Sequence, residues 1–178
     1  MTASHAIHDH AGSGSSQQSP RSSSIGEILD RGAIITDLQV SSKKKLLEQT
    51  AQLFAEHLPG VDASQIFNTL IERENLGSTG IGHGVAIPHG RIEGLDEVTG
   101  IFLHLEEALE FDAADHLPVD LVFAILVPQH ATEDHLRLLA GLAGIFRDQE
   151  TRDKLAATSD AAMIRDIFNS PAKQDTSN

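Results

Sequence analysis

Apolar residues along this chain follow two alternating rhythms. A short amphipathic run over residues 24–30 predicts a helix, and Ala33-Ile34-Ile35 behind it predicts a strand. Ser41 is placed to cap a helix running to about residue 58. Its Leu46, Leu47, Thr50, Leu53, Phe54 and His57 recur at helical spacing, and Pro59-Gly60 ends it. Asp62 is the expected cap of a second helix, with Ile66, Phe67, Leu70 and Ile71 on one stripe. Three strand signals follow. Val85-Ala86-Ile87 stops at Pro88, residues 98–105 place Ile101, Leu103 and Leu105 on one side, and residues 119–127 are almost wholly apolar up to Pro128. The last reads as a central strand buried on both faces. Thr132 is the expected cap of a helix to about residue 146 carrying Leu136, Leu139, Ala140 and Ala143, and two further helices are expected over 150–157 and 159–168.

The pattern predicts an α/β fold: a single-domain sandwich with a small mixed β-sheet flanked by helices on both sides. The domain is expected over residues 25–170, between a polar tail of Ser, Gly, Gln and His at 1–24 and a loose end at 171–178. His5, His8 and His10 lack carboxylate or thiol support and read as tail rather than a metal site. Lys43, Lys44 and Lys45 fall in a first helical turn, where the dipole disfavours cations, and read as a solvated run.

Composition narrows the function. With 13 Lys+Arg against 26 Asp+Glu the net charge is −13, which opposes binding to a phosphate backbone or an anionic membrane surface. There is no Cys, and so neither a disulfide nor a thiolate site, in keeping with a reducing cytosol. No apolar run approaches the roughly 20 residues of a membrane helix, and no signal-peptide pattern opens the chain. The expectation is a cytoplasmic protein with no membrane insertion and no nucleic-acid partner. Eleven of the acids lie between Ile92 and Leu136, a stretch without Lys or Arg. They form either a solvated face or a surface that attracts a basic partner.

Candidate chemistry sits in Glu72 to Gly90, where five glycines fall within fourteen residues and the segment ends Pro88-His89-Gly90. No glycine there precedes Lys, so it is not a Walker A loop; it follows a helix rather than a strand, so it is not a dinucleotide fingerprint. The glycines let backbone N–H groups approach an anion closely. Pro88 holds Ile87 extended and gives His89 a defined direction at a strand end, so its imidazole is either a nucleophile or a plain loop histidine. His135, in the first turn of the helix after the buried strand, either donates to an anion or covers the helix start. Arg73 ends a helix just before the glycines, as a phosphate-gripping cation would, or is simply solvated. A zinc hydrolase built on His83, His89, His130 and His135 lacks the H-E-x-x-H spacing. Ser78 lacks the Gly-x-Ser-x-Gly elbow, and the acids of 106–120 lack sugar-stacking aromatics.

Glu74, then six residues, then Ile81-Gly82-His83-Gly84-Val85-Ala86-Ile87-Pro88-His89-Gly90 resembles the signature of the fructose/mannitol-type enzyme IIA of the bacterial phosphotransferase system. Arg73-Glu74, Leu76-Gly77-Ser78-Thr79-Gly80, Phe111-Asp112-Ala113, Asp115, Pro118-Val119-Asp120-Leu121 and Leu126-Val127-Pro128 are similar to further family segments in the same order. The resemblance covers about residues 24–168. It implies a phosphotransferase component in which His89 takes a phosphoryl group on its tele nitrogen from a histidine-containing phosphocarrier protein. It further implies that His135 stabilises that group and Arg73 contacts it, with no cofactor and no metal. A chain expected to stand alone, without fused transport domains, looks most like the nitrogen-regulatory branch. That branch implies phosphorylation-dependent binding of regulatory targets, sensor-kinase or potassium-transport components among them. The alternative is a sugar-specific component that passes the phosphoryl group to a IIB domain.

Overall fold

In the computed structural model of the chain, residues 23–131 and 133–170 are described. Helix α1 (Ile25–Asp30) starts at Ser24, whose hydroxyl accepts the Glu27 N–H at 3.2 Å. Strand β1 (Ala33–Leu38) and helices α2 (Lys43–His57) and α3 (Ala63–Leu76) follow. Then come β2 (Gly80–Gly82), β3 (Val85–Ala86), β4 (His89–Ile92), β5 (Thr99–Leu109) and β6 (Val119–Pro128). Helices α4 (Glu133–Arg147), α5 (Gln149–Ala157) and α6 (Ala161–Asn169) complete the described residues.

Several boundaries differ from the periodicity. Ser42, not Ser41, caps α2, accepting the Lys45 N–H at 3.2 Å. Asp62 occupies the cap position of α3 but makes no side-chain cap bond. Thr132, nearly all of the expected tail with its histidines, and residues 171–178 lie outside the described residues. Strands β2 and β4 were not among the predicted elements, and β1 and β5 run further than their apolar runs.

The six strands form one mixed sheet in the order β1-β5-β6-β3-β2, with β4 also paired to β6. β5 and β6 are antiparallel, while β1 runs parallel to β5 and both β3 and β4 run parallel to β6. β3 and β4 therefore occupy one line along β6. Val85 and Ala86 face Leu121 and Val122, and His89 to Ile92 face Ile125 to Pro128. Between them Ile87-Pro88 interrupts the ladder, and the Pro88 carbonyl accepts the Ile125 N–H at 2.9 Å.

The period of two along β6 divides the core. Val122, Ala124 and Leu126 pack with Leu46, Leu47, Phe54, Ile66 and Leu70 of α2 and α3. Leu121, Phe123, Ile125 and Val127 pack on the other face with Ile28 and Leu29 of α1, Leu142 and Phe146 of α4, Leu155 of α5, and Ile164 and Phe168 of α6. Phe168 meets the rings of Phe102, Phe123 and Phe146 edge-on at 5.2 to 5.7 Å. The continuous apolar run of β6 is thus a strand with a helical layer on each side, as the sequence predicts.

Candidate functional site

The glycine-rich segment is a hairpin. β2 and β3 are joined by His83-Gly84, both at positive φ (56° and 79°), the backbone of a type I′ turn. His83 therefore serves the turn: its N–H donates to Asp115 Oδ2 at 2.8 Å. Asp115 also accepts the Leu117 N–H at 3.1 Å, and these backbone donors hold its carboxyl below the usual range.

Beyond the hairpin the chain turns at Pro88 into β4. His89 lies at the amino end of this strand, in the break along β6, rather than at the end of the strand that precedes Pro88. Gly90 faces α3, where a Cβ would fall 2.5 Å from Thr69 Cγ2. The missing side chain lets α3 lie close against β4. One helical turn after Thr69 comes Arg73, whose Nε donates to His89 Nε2 at 3.3 Å while its Nη1 donates to the Gly77 carbonyl at 2.8 Å.

The other imidazole nitrogen of His89, Nδ1, lies 2.8 Å from the Ile87 carbonyl, which can only accept. That contact places the proton on Nδ1 and leaves the Nε2 lone pair facing Arg73. Burial lowers the His89 pKa; the Ile87 carbonyl and Glu74 counter this, while Arg73 adds to it. His135 approaches from α4 with its ring centre 5.2 Å from that of His89. It is 8% exposed, and its Nδ1 is buried without a hydrogen-bond partner. Burial, then His89, Arg91 and Arg73, push its pKa down to about 4, so the ring is neutral around pH 7.

All three residues singled out from the sequence, Arg73, His89 and His135, therefore converge. Two others had been overlooked. Arg91 lies two residues along β4 from His89, on the same side of the strand, and is close enough to act on His135. The polar run His89-Gly90-Arg91 hides a strand; once the strand is known, its alternation identifies Arg91. Lys43 is not part of a solvated run, since its Nζ lies 2.7 Å from the buried Glu74 carboxylate. Among the described residues no group of three or more His, Asp or Glu side chains could hold a metal ion. The site instead combines the Nε2 lone pair of His89, the guanidinium of Arg73 with that of Arg91 nearby, an unpartnered imidazole nitrogen of His135 and the first turn of α4. Such a set of groups is chemically suited to an oxyanion.

A fold of this topology, with paired histidines beside a Pro-His-Gly strand start, defines a phosphotransferase IIA domain. Residues 27–170 match the family described as "Phosphoenolpyruvate-dependent sugar phosphotransferase system, EIIA 2", and the chain belongs to it. Among its relatives is the "Nitrogen regulatory protein" of Pseudomonas aeruginosa, 44% identical over 143 residues that cover 80% of this chain and 93% of the relative. The solved structure of "Nitrogen Regulatory Protein IIA-Ntr" from Neisseria meningitidis superposes with a TM-score of 0.77 at 44% identity. It covers 81% of this chain and 98% of that one. The IIA mannitol structure from Escherichia coli shares the fold, with a TM-score of 0.64 at 19% identity over 76% of this chain and 94% of its own. The chain is thus similar to nitrogen regulatory members of the family, and no helix among its described residues is long and apolar enough to cross a membrane.

Proposed function

We propose that this chain is a cytoplasmic phosphoryl carrier and regulator, which takes a phosphoryl group on His89 Nε2 from a histidine-containing phosphocarrier protein. The observation that carries the reading is the fixed tautomer of His89, with Nδ1 bonded to the Ile87 carbonyl and Nε2 open toward Arg73. In the transfer, the Nε2 lone pair forms a bond to phosphorus. The P–N bond to the donor imidazole breaks, and its electron pair returns to the donor ring. Each ring keeps the proton on its other nitrogen, so no proton needs a carrier and no metal is required. The phosphoryl group carries roughly −1.5 to −2 charge. Arg73 stabilises that charge as it develops, and His135 Nδ1 gains the partner it lacks in the unmodified protein.

The similarity to nitrogen regulatory proteins favours a regulator over a sugar-specific component that feeds a IIB domain. A regulator of this kind binds its targets, sensor-kinase or potassium-transport components among the classes considered, differently in its two states. Incubation with phosphoenolpyruvate, enzyme I and the carrier should label one histidine, and His89→Ala should abolish the label. Retained label in that variant overturns the assignment of the nucleophile. Equal capture of a target protein by the phosphorylated and unmodified forms overturns the switch.

A further inference from the structure

Lys43 opens α2, where the positive end of the helix dipole disfavours a cation. Its ammonium lies 2.7 Å from the Glu74 carboxylate, donates to the Phe111 carbonyl at 3.0 Å, and stands 4.7 Å from the centre of the Phe111 ring. It also reaches Asp112 at 3.4 Å. The Glu74 side chain is only 2% exposed and that of Lys43 20%. Burying a carboxylate to this degree is costly unless a cation and hydrogen-bond donors are paired with it. Its donors are the N–H of Thr79, 3.1 Å from both oxygens, and the Thr79 hydroxyl. Glu74 thereby joins the start of α2, the end of α3 and the entry to the glycine hairpin. Its neighbour in sequence is Arg73, which spans from the Gly77 carbonyl to His89 Nε2.

We propose that Lys43 is a positioning residue for phosphoryl transfer at His89: its ion pair with Glu74 fixes the end of α3 and so holds the Arg73 guanidinium against the imidazole. The inference rests on the phosphocarrier reading above. Without Lys43, the Glu74 carboxylate lacks a cation and becomes a rival acceptor for the guanidinium one residue away. Charge acts in parallel: Glu74 favours the protonated His89, and a cation paired with that carboxylate opposes its effect. The charged and titratable groups around His89 are Arg73 and Glu74 from α3, Arg91 two residues along β4, and His135 from α4, whose first turn also carries Glu133 and Asp134. β6 opposes it with apolar Ile125.

The test is an NMR titration of the His89 imidazole in the full chain, together with the rate of phosphoryl uptake from the phosphorylated carrier. Lys43→Met should raise the His89 titration midpoint and slow uptake at neutral pH by about 10- to 100-fold, as misplacement of a positioning group does. Lys43→Arg should recover most of the rate. Glu74→Gln, which still offers an oxygen to Thr79, should lower the midpoint. A purely architectural role predicts another pattern. Loosening would expose His89 in both variants and move both midpoints up, because burial is the main cause of its low value. A Glu74→Gln midpoint that rises or stays still overturns the proposal, as does uptake by Lys43→Met at the wild-type rate. If Lys43→Met does not fold, the sign of the Glu74→Gln shift decides alone. Failure of the wild-type chain to be labelled overturns the phosphocarrier reading instead, and the titrations, which need no phosphate, separate the two.

Discussion

His135 has the most informative environment of any single side chain: nearly buried, next to a second imidazole, near two guanidinium groups, and with one nitrogen unpartnered. Its pKa of about 4 lies below the ordinary histidine value of about 6.5. Between those values the unfolded chain binds a proton that the fold excludes. Stability is therefore full above the unfolded pKa and falls as the pH drops toward the folded one, and the lowered His89 acts in the same sense. Urea midpoints should decline from about pH 7 to about pH 4, and His135→Asn should flatten much of that decline. Equal slopes in both proteins would mean that His135 does not resist protonation. Phosphorylation should flatten the slope as well, since a dianion beside the ring favours its charged form. At this scale the sequence is uneven. His89 is legible because Pro88 and the glycines constrain it locally. Lys43 is not, because it differs from Lys44 and Lys45 only through Glu74, which lies far along the chain in another helix.

Elements were readable where one face is apolar and hidden where pairing alone makes the strand. Helices α2 and α3 and strand β6 carry their own periodicity, and their cores match it. In α4 the expected stripe of Leu136, Leu139, Ala140 and Ala143 is not the buried face: Leu136 is 67% exposed and Ala140 is exposed, while His135, Leu142 and Phe146 point inward. β2 is Gly-Ile-Gly and β4 is His-Gly-Arg-Ile; each has too few apolar side chains to show an alternation. β4 exists because β6 offers a free edge beyond the break at Ile87-Pro88, a long-range condition that local pattern does not encode. The packing of α3 on β4 carries a prediction of its own. Gly90→Ala would bring a methyl against Thr69, whose hydroxyl is tied to the Gln65 carbonyl at 2.9 Å. It should cost about 1–3 kcal/mol in urea unfolding, as overpacking does. It should also slow phosphoryl uptake, because Arg73 rides on the displaced helix. Thr69→Ser removes the opposing methyl, so the double variant should recover both quantities. Recovery of stability without recovery of uptake would show that α3 position does not set the site.

Over the whole molecule, the acidic stretch resolves into local pairs and an open remainder. Asp112 contacts Lys43 at 3.4 Å, Asp120 faces His104 at 4.0 Å, and Asp115 holds backbone N–H groups of the hairpin region. Glu97 binds Arg31 at 3.0 Å, while Glu133 and Asp134 reach Arg137 only at 3.9 Å with the partners largely exposed. Asp96, Glu97, Glu133 and Asp134 line one groove with Glu27, Arg31 and Arg137. Under the phosphocarrier reading, this acidic groove and the guanidinium groups near His89 have different tasks. On that reading Arg73 and Arg91 attract the phosphoryl group itself, whereas the groove would attract a donor protein that is basic around its own histidine. Such steering acts on encounter and is screened by salt, with a Debye length of about 8 Å at physiological ionic strength. Second-order uptake from the phosphorylated carrier should therefore fall as salt rises. Asp96→Asn with Glu133→Gln should lower the encounter rate by up to about 10-fold and reduce the salt slope. The plateau rate at saturating carrier should not change, because neither residue touches His89. Rapid-quench measurements at several salt concentrations separate the two quantities. Salt-independent encounter would assign the net charge of −13 to solubility alone.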